Sequence, residues 1–352
     1  MRPRGGGLSN AATADRAPLS ARTAVRESER SGPAADDPVV RLRAISKSFA
    51  SSKVVDAVDL DLRRAEVHGL VGENGAGKST LMRILGGFFP DYVGEISLDG
   101  AAVRLVRPRQ ARTHGIALVH QELSLLPELT VAENILLGRE PSARLPGFIS
   151  RQAIEDKARM HLGFCGIRLD PAAKVDRLSI AERQLVEIVR GVAANPRVLI
   201  LDEPSSSLTY PETRDLFGII RRLVARGTAV VYISHKLDEI FALAGWITVL
   251  RDGRKVASAA TAEWTEPGLV RAMVGRDLSA LFPRGKSTPG KTRLQVSGLA
   301  RRGWFRNLSF EIRAGEIVGL YGLVGSGRTG LAEALYGLSP ADAGSIRIDG
   351  RA

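Results

Sequence analysis

Short apolar runs alternate with segments of helical periodicity through much of the chain. Val67–Val71 is an apolar run that ends at a glycine-rich loop. The apolar residues after that loop recur at i, i+3, i+4 and i+7, a spacing that predicts one buried face of a helix. They are Leu81, Ile84, Leu85 and Phe88. Because strand followed by helix is the repeating unit of parallel sheets, the pattern predicts an α/β fold.

Two later apolar runs predict further buried strands that carry polar residues at their carboxyl ends. Residues 198–201 lead directly into Asp202 and Glu203, and residues 229–233 end just before His235. Ligands in open α/β sheets collect at the carboxyl ends of the strands. These three side chains are therefore candidates for one functional site.

Residues from about 107 to 190 have mainly helical patterning, which predicts a helical subdomain. Within it, Ser179 and Glu182 form the Ser-x-x-Glu pattern of a capping box, which predicts a helix start. The apolar residues that follow share one helical face. They are Leu185, Ile188, Val189 and Val192.

An internal repeat divides the chain. Residues 66–72 reappear as residues 316–322, and this offset of 250 persists to the Asp-Gly pairs at 99–100 and 349–350. Two homologous units are predicted from it. The predicted segments are a disordered extension (1–38), a first unit (39–275), a basic linker (276–292) and the beginning of a second unit (293–352).

Composition narrows the possible classes of protein. The 352 residues carry a net charge of +12, of which much lies in and around the predicted linker, beside no recognisable nucleic-acid motif. Two interpretations stay open for this basic stretch, a solvated linker and a basic docking face. The single cysteine, Cys165, excludes an intrachain disulfide framework, so a reducing, cytoplasmic setting fits. No apolar run reaches the ~18 residues of a membrane-spanning helix.

The loop after the first apolar run matches the phosphate-binding pattern G-x-x-x-x-G-K-[ST] from Gly72 to Ser79. In such a loop, backbone N–H groups surround the phosphates of a nucleotide. Lys78 is expected to reach the β- and γ-phosphates, and Ser79 to bind Mg²⁺. Asp202 and Glu203 then fit the metal-binding and water-activating carboxylates of a nucleotide hydrolase, although a polar strand end followed by a turn gives the same residues.

Together these motifs resemble the ATP-binding cassette (ABC) family in order and spacing, from about residue 39 onward. The further matching motifs are His120-Gln121-Glu122, Leu178–Gln184, Asp202-Glu203-Pro204, Ser207-Leu208-Thr209 and Ser234-His235. The resemblance implies a P-loop NTPase cassette with a parallel-sheet RecA-like core, an antiparallel β subdomain and a helical subdomain, plus the start of a second cassette. It also implies ATP and Mg²⁺ as cofactors.

Site residues follow from the same resemblance. Glu203, His235 and Gln121 would be catalytic, and Ser79, Gln121 and Asp202 would hold Mg²⁺. The residues implied to bind ATP are Phe49, Gly72, Asn74, Gly75, Gly77, Lys78, Ser79, Thr80 and Ser179. Phe49 would stack on adenine, but a place in the core of a strand is an equally open interpretation.

Two positions depart from the family pattern. The signature motif usually reads Leu-Ser-Gly-Gly-Gln, and here Ile180, Ala181 and Glu182 occupy its last three places. Ala181 adds a methyl group where glycine allows close approach to a phosphate of the opposing cassette. In the second unit Arg328 replaces the phosphate-binding lysine, so that site is expected to bind a nucleotide at most, without hydrolysing it. The second cassette is also expected to be incomplete, stopping before its own signature.

More narrowly, the chain resembles the duplicated ATPase subunits of bacterial importers of ribose, galactose and xylose. That implies ATP hydrolysis on the cytoplasmic face of the membrane, driving a separate permease that is served by an extracytoplasmic sugar-binding protein. A second cassette, in cis or in trans, would complete the ATP site, and no nucleic acid is expected as a partner. The alternatives are a soluble ABC ATPase that acts on ribosomes or nucleic acid, and a nucleotide-binding fragment without turnover.

Overall fold

The computed structural model describes residues 37–141, 150–275, 288–322 and 325–351. Most of the predicted extension (1–38) and of the predicted basic linker (276–292) lies outside these residues. The chain divides into two compact units between Val274 and Gly275. Within the described ranges, no helix is both long and apolar enough to cross a membrane.

The first unit contains two sheets and a set of helices. Its strands are β1 (Val40–Phe49), β2 (Ser52–Leu62), β3 (Val67–Val71), β4 (Val93–Leu98), β5 (Ala101–Val103), β6 (Ile116–Val119), β7 (Val198–Asp202), β8 (Ala229–Ile233), β9 (Trp246–Arg251) and β10 (Arg254–Ala260). Its α-helices are α1 (Lys78–Leu85), α2 (Pro108–Thr113), α3 (Val131–Leu136), α4 (Arg151–Cys165), α5 (Ile180–Ala193), α6 (Tyr210–Val224), α7 (Leu237–Leu243) and α8 (Glu266–Val274).

The larger sheet has the strand order β10-β9-β3-β8-β7-β6. All neighbours in it are parallel except β10, which runs antiparallel to β9. The three strands predicted from apolar runs are therefore confirmed as β3, β7 and β8, and they lie side by side. The smaller sheet, β2-β1-β4-β5, is antiparallel throughout. This is the predicted α/β architecture with a separate antiparallel sheet.

The position of β7 inside the larger sheet explains why its sequence is apolar from residue 198 to residue 201. Leu199 and Leu201 enter a core shared with the helices on one side of the sheet. Val198 and Ile200 enter a second core shared with α1 and the antiparallel sheet. All four are almost fully buried, because a parallel sheet is covered on both faces.

The placement of Phe88 on a helix face was wrong. Helix α1 ends at Leu85, since Gly86 caps it and Gly87 takes a left-handed conformation with φ +75°. Phe88 therefore lies beyond the helix and is 42% exposed, while its ring meets that of His120 edge-on at 5.0 Å. The described part of the region from 107 to 190 is mainly helical, as predicted, with α2 to α5 in it, and it also contains β6, which pairs with β7.

Helix α5 agrees with the sequence analysis. The Ser179 hydroxyl accepts a hydrogen bond from the Glu182 N–H at 3.2 Å, and the Glu182 carboxylate accepts one from the Ser179 N–H at 2.8 Å. These reciprocal bonds are the predicted capping box. Ile188 and Val189 are buried in the core beneath the helix.

The second unit repeats part of this pattern. It consists of β11 (Thr292–Arg301), β12 (Phe305–Arg313), α9 (Arg328–Tyr336) and β13 (Ala343–Ile348). Its strand order, β12-β11-β13, corresponds to the order β2-β1-β4 in the antiparallel sheet of the first unit. Residues 317–321, the sequence counterpart of β3, form no strand, and Ile317 and Tyr321 are fully exposed.

A buried histidine lies in the central strand of the larger sheet. The Nε2 atom of His68 on β3 is 2.8 Å from the Thr248 hydroxyl on β9. Burial lowers the pKa of His68 to about 3, and the charge of Arg63 acts in the same direction. The folded protein therefore keeps this imidazole neutral.

We expect His68 to make stability depend on pH. In the unfolded chain the imidazole gains a proton below a pKa of about 6.5, so acid favours unfolding. Lowering the pH from about 7 to about 5 should reduce the free energy of unfolding by about 2 kcal/mol through this group alone. Urea denaturation at both pH values measures the loss. His68→Gln should lose less stability over the same interval, and an identical loss in both proteins would contradict the prediction.

Candidate functional site

The glycine-rich loop connects β3 to the start of α1, and its backbone requires glycine. Gly77 has φ +95°, and a Cβ atom there would lie 2.7 Å from the carbonyl oxygen of Val54. At Gly72, with φ +153°, a Cβ atom would lie 2.1 Å from the carbonyl oxygen of Leu250. Side chains at these positions would push the loop away from its neighbours. The loop thereby reaches the N-terminus of α1 with its N–H groups available to an anion.

Lys78, the first residue of α1, turns back onto this loop. Its Nζ donates hydrogen bonds to the carbonyl oxygens of Gly72 at 2.8 Å and Glu73 at 2.9 Å. Burial lowers the pKa of the Lys78 ammonium, and the carboxylates of Glu203 and Asp202 oppose that shift. A buried cation next to an anion-binding loop is suited to a phosphate.

Strand β7 places Asp202 beside Ser79. Burial raises the pKa of the Asp202 carboxyl above its usual value, and a hydrogen bond from Ser79 works against this. The Oδ1 atom of Asp202 is buried and has no hydrogen-bond partner. An orphaned carboxylate oxygen next to a hydroxyl group is a donor set that suits a hard cation.

Glu203 is held between two side chains that come from the segments just after β6 and β8. Gln121 Nε2 donates to Glu203 Oε2 at 3.2 Å, and His235 Nδ1 lies 3.3 Å from Glu203 Oε1. Glu203 has φ +49°, a left-handed backbone that costs a non-glycine residue free energy. The surrounding contacts therefore fix the carboxylate in this position.

One cavity of about 520 Å³ unites most of the predicted site. It is lined by Val54, Asn74, Gly75, Ala76, Gly77, Lys78, Ser79, Thr80, Gln121, Glu203 and His235. Gly72 and Asp202 do not line it but contact Lys78 and Ser79, which do. Sequence reasoning did not predict Val54, because nothing in its local pattern marks it as a site residue.

Two predicted residues lie elsewhere. The Phe49 ring packs edge-on against Phe89 at 5.1 Å, with Lys47 Nζ 4.7 Å from its centre, and it is not among the residues that line the cavity. Phe49 is also 40% exposed, so it is not a fully buried core residue. Ser179 lies exposed at the start of α5. The functional interpretations of both residues stay predictions.

The buried residue Glu239 stabilises the segment around His235. The sequence analysis did not predict this role. The Oε2 atom of Glu239 accepts hydrogen bonds from the hydroxyls of Ser205 at 2.6 Å, Tyr232 at 2.8 Å and Ser234 at 3.1 Å. Its Oε1 atom lies 3.1 Å from Lys236 Nζ. Burial acts to raise the pKa of Glu239, but these hydrogen bonds outweigh it and leave the pKa below its usual value.

The position of Glu239 in sequence gives only a weak indication of this role. Glu239 follows His235 by four residues and lies in the first turn of α7, where acidic residues are common because they interact favourably with the helix dipole. Its hydroxyl partners come from β8 and from the turns after β7 and β8, so the cluster exists only once the sheet has formed.

We expect Glu239→Ala to lower the free energy of unfolding by about 3 kcal/mol, because it leaves Lys236 and three hydroxyls without their shared acceptor. Urea denaturation measures the change. Asp238→Ala removes the same charge from the exposed neighbouring position and should shift stability by no more than about 0.5 kcal/mol. Equal losses in the two variants would show that the cluster is not stabilising.

Comparison with known proteins extends these observations. The model of the ABC transporter family matches residues 55–206 and 305–352, together more than half of the chain. A ribose import ATP-binding protein of Rubrobacter xylanophilus is 48% identical over 90% of this chain and 63% of its own length. A ribose import ATP-binding protein of Geobacillus kaustophilus is 44% identical over 89% of this chain and 63% of its own length. The chain thus spans somewhat less than two thirds of these relatives.

Two solved structures of ATP-binding cassettes resemble this chain. The ADP conformation of an ATP-binding cassette from an ABC transporter is 26% identical, with a TM-score of 0.58 over 68% of this chain. That comparison covers 99% of the solved cassette. A nucleotide-free ATP-binding cassette, 24% identical, has a TM-score of 0.60 over 71% of this chain and 100% of its own length. Because its identity is low, the comparison with the nucleotide-free cassette supports only the fold.

Proposed function

The chain belongs to the ABC transporter family, and from this membership we propose that it binds and hydrolyses ATP as the energy-supplying subunit of a sugar importer. The observation that carries the proposal is the arrangement around one cavity of the buried cation Lys78 and of Glu203, which Gln121 and His235 hold in place. This combination supplies both phosphate binding and an oriented base.

ATP phosphates would lie on the loop between Gly72 and Ser79. The loop N–H groups and the N-terminus of α1 favour negative charge there. Lys78 now donates to carbonyl oxygens of its own loop, and phosphate oxygens would be stronger acceptors for the same ammonium group. Thr80 and Asn74, which line the cavity, would complete the contacts.

The residues beside the loop fit Mg²⁺. Ser79 and the orphaned Oδ1 atom of Asp202 would hold the ion, and Gln121 is the third predicted ligand. A bound cation would also oppose the effect of burial on the Asp202 pKa, because its positive charge favours the ionised carboxylate. When bound, Mg²⁺ neutralises charge on the phosphate oxygens.

Glu203 would act on the attacking water. Its carboxylate accepts a proton as the water oxygen bonds to the γ-phosphorus and the bond from that phosphorus to the bridging oxygen breaks. Gln121 and His235 keep the two carboxylate oxygens in place, and the exposed His235 would also contact the γ-phosphate.

The second cassette that the family requires would complete this site. The matching strand order of the second unit and its α9 after a glycine-rich loop support the view that residues 293–352 begin such a cassette. Ser179, exposed at the start of α5, would face the phosphates of an opposing cassette in cis or in trans. The Ala181 methyl group would crowd that contact.

The names of the relatives support the proposed membrane partner and class of sugar. Two relatives are named as ribose import ATP-binding proteins and another as a putative ribose/galactose/methyl galactoside import ATP-binding protein. We propose a permease that carries a sugar of the ribose, galactose or xylose type, served by an extracytoplasmic sugar-binding protein. The chain would then lie on the cytoplasmic face of the membrane. Their names favour transport over action on ribosomes or nucleic acid.

Two variants of the proposed site separate ATP binding from ATP hydrolysis. Lys78→Ala should weaken ATP binding about a hundredfold, since it removes charge-assisted hydrogen bonds to phosphate. Glu203→Gln should bind ATP normally but hydrolyse it about 10²–10⁴-fold more slowly, because the amide cannot accept the proton. Equilibrium binding and single-turnover hydrolysis measure the two effects. Lys157→Ala, at an exposed position on α4, is the control. Unchanged hydrolysis in Glu203→Gln would rule out the assigned base.

The second prediction tests transport. Proteoliposomes that contain a ribose-type permease from the same organism should stimulate ATP hydrolysis by this chain, and empty liposomes should not. RNA or DNA added alone should have no effect. Stimulation by nucleic acid without permease would refute the transporter proposal, and no turnover under any condition would favour a nucleotide-binding fragment.

A further inference from the structure

Another cavity, of about 450 Å³, opens where the central strands begin, and we call it the amino-edge pocket. Its walls include Arg64 before β3, Arg197 before β7 and Thr228 before β8. These three strands are parallel, so their starts share one edge of the larger sheet, whereas the phosphate loop follows β3 at the other edge. Strand β7 alone spans roughly 16 Å between the two edges. The amino-edge pocket is therefore separate from the proposed ATP site.

Three arginines line the amino-edge pocket, and one carboxylate neutralises them only in part. They are Arg64, Arg197 and Arg226. Arg64 and Arg197 pair with the two oxygens of the same side chain, Asp99. Burial lowers the pKa of Arg197, and the charge of Arg64 acts in the same direction. Since a single carboxylate faces three guanidinium groups, the cluster has a positive excess of two charges.

Arg226 holds its hydrogen-bond donors ready for an anion. Within the described parts of the chain, its guanidinium pairs with no carboxylate and lies over the Phe164 ring, 3.8 Å from the ring centre. A guanidinium on an aromatic face is held in place while the N–H groups at its edge stay free. Oxygens of a phosphate match that planar fork in a bidentate manner. The amino-edge pocket therefore offers a positioned donor for a phosphate group.

His161 lies in the same wall, and its surroundings are also positive. Burial lowers the pKa of this imidazole, and the charges of Lys157 and Arg139 act in the same direction. The Nε2 atom of His161 is buried and has no hydrogen-bond partner. A bound anion would offset the repulsion among the cations on this side of the molecule.

The remaining walls suit an organic group attached to the anion. Met160 and Phe164 supply apolar surface, and Asn195 and Thr228 supply polar side chains. The Thr228 hydroxyl donates to the carbonyl oxygen of Pro196 at 3.2 Å, so its own oxygen can still accept a hydrogen bond. The cavity volume also falls in the range of small-molecule sites, about 300–1,000 Å³. The pocket therefore has room and partners for more than a bare ion.

We propose that the amino-edge pocket binds a small phosphate monoester whose organic part is of sugar size. Such a phosphate carries a charge of about −1.5 to −2 at pH 7, which matches the positive excess of the arginines. Its oxygens accept hydrogen bonds from Arg197 and Arg226, its organic part lies against Phe164, and its hydroxyl groups meet Asn195 and Thr228. A sugar phosphate and a nucleoside monophosphate share this chemistry. The inference does not depend on the proposed function, because the pocket shares no residue with the ATP site.

Calorimetric titration with ribose 5-phosphate tests the proposal. Arg226→Gln and Arg197→Gln each remove a charged donor from an exposed position and should weaken binding about tenfold or more. Arg221→Gln is the matched control, because it removes the same charge from an exposed position of α6 outside the pocket, and it should change the Kd by less than about twofold. Inorganic phosphate, which lacks the organic part, should bind about tenfold more weakly than ribose 5-phosphate.

Lys78→Ala separates the amino-edge pocket from the phosphate loop. This variant should bind ribose 5-phosphate as tightly as the unchanged chain, and titrating it with AMP as well shows whether a sugar phosphate or a nucleotide is preferred. The proposal is overturned if neither ligand binds, if Lys78→Ala abolishes binding, or if Arg221→Gln weakens it as much as the pocket variants do. Equal affinity for inorganic phosphate would overturn the role of the organic part. Should Arg197→Gln not fold, as judged by thermal unfolding, Arg226→Gln decides the question.

Discussion

The pairing of β3 with β8 on one side and β9 on the other holds the candidate site together. Val67 pairs with Val230 and His68 with Trp246, so residues far apart in sequence fix the strand that leads into the phosphate loop. In the second unit, residues 317–321 repeat the sequence pattern of β3, but they form no strand among the described residues, and Ile317 is exposed. Strand propensity alone is insufficient, because a central parallel strand is stabilised by burial on both faces.

Charge is concentrated at the carboxyl edge of that sheet. Lys78 and Asp202 are both buried, and burial shifts the pKa of each toward its neutral form. A bound phosphate would compensate the charge of Lys78, and a bound cation that of Asp202, better than their present neighbours in the site do. The site therefore holds electrostatic free energy that a nucleotide and a metal ion would release. On the proposed function, this release offsets the cost of keeping both groups in the interior.

The sequence predicted features whose causes are local. The phosphate loop depends on glycines in a short segment, and the capping box at Ser179 depends on two residues three positions apart. The sequence was less informative about features that depend on contacts between distant segments. Strand β6 forms because β7 offers it a partner, and Glu239 becomes a hydrogen-bonding centre only after the turns that follow β7 and β8 meet α7. The predicted stacking role of Phe49 would likewise need contacts that no local pattern specifies.

Helix α5 links Ser179 to the strand that leads to Gln121. Ser179 caps its N-terminus, and Gly191 lies twelve residues further on, roughly 18 Å along the axis. Gly191 lets the helix pack tightly on the sheet, since a Cβ atom there would lie 2.9 Å from Val119 on β6. A close-packed interior has low compressibility and transmits strain. On the proposed function, contact of Ser179 with an opposing cassette would therefore be transmitted through α5 to β6 and to Gln121, which donates a hydrogen bond to Glu203.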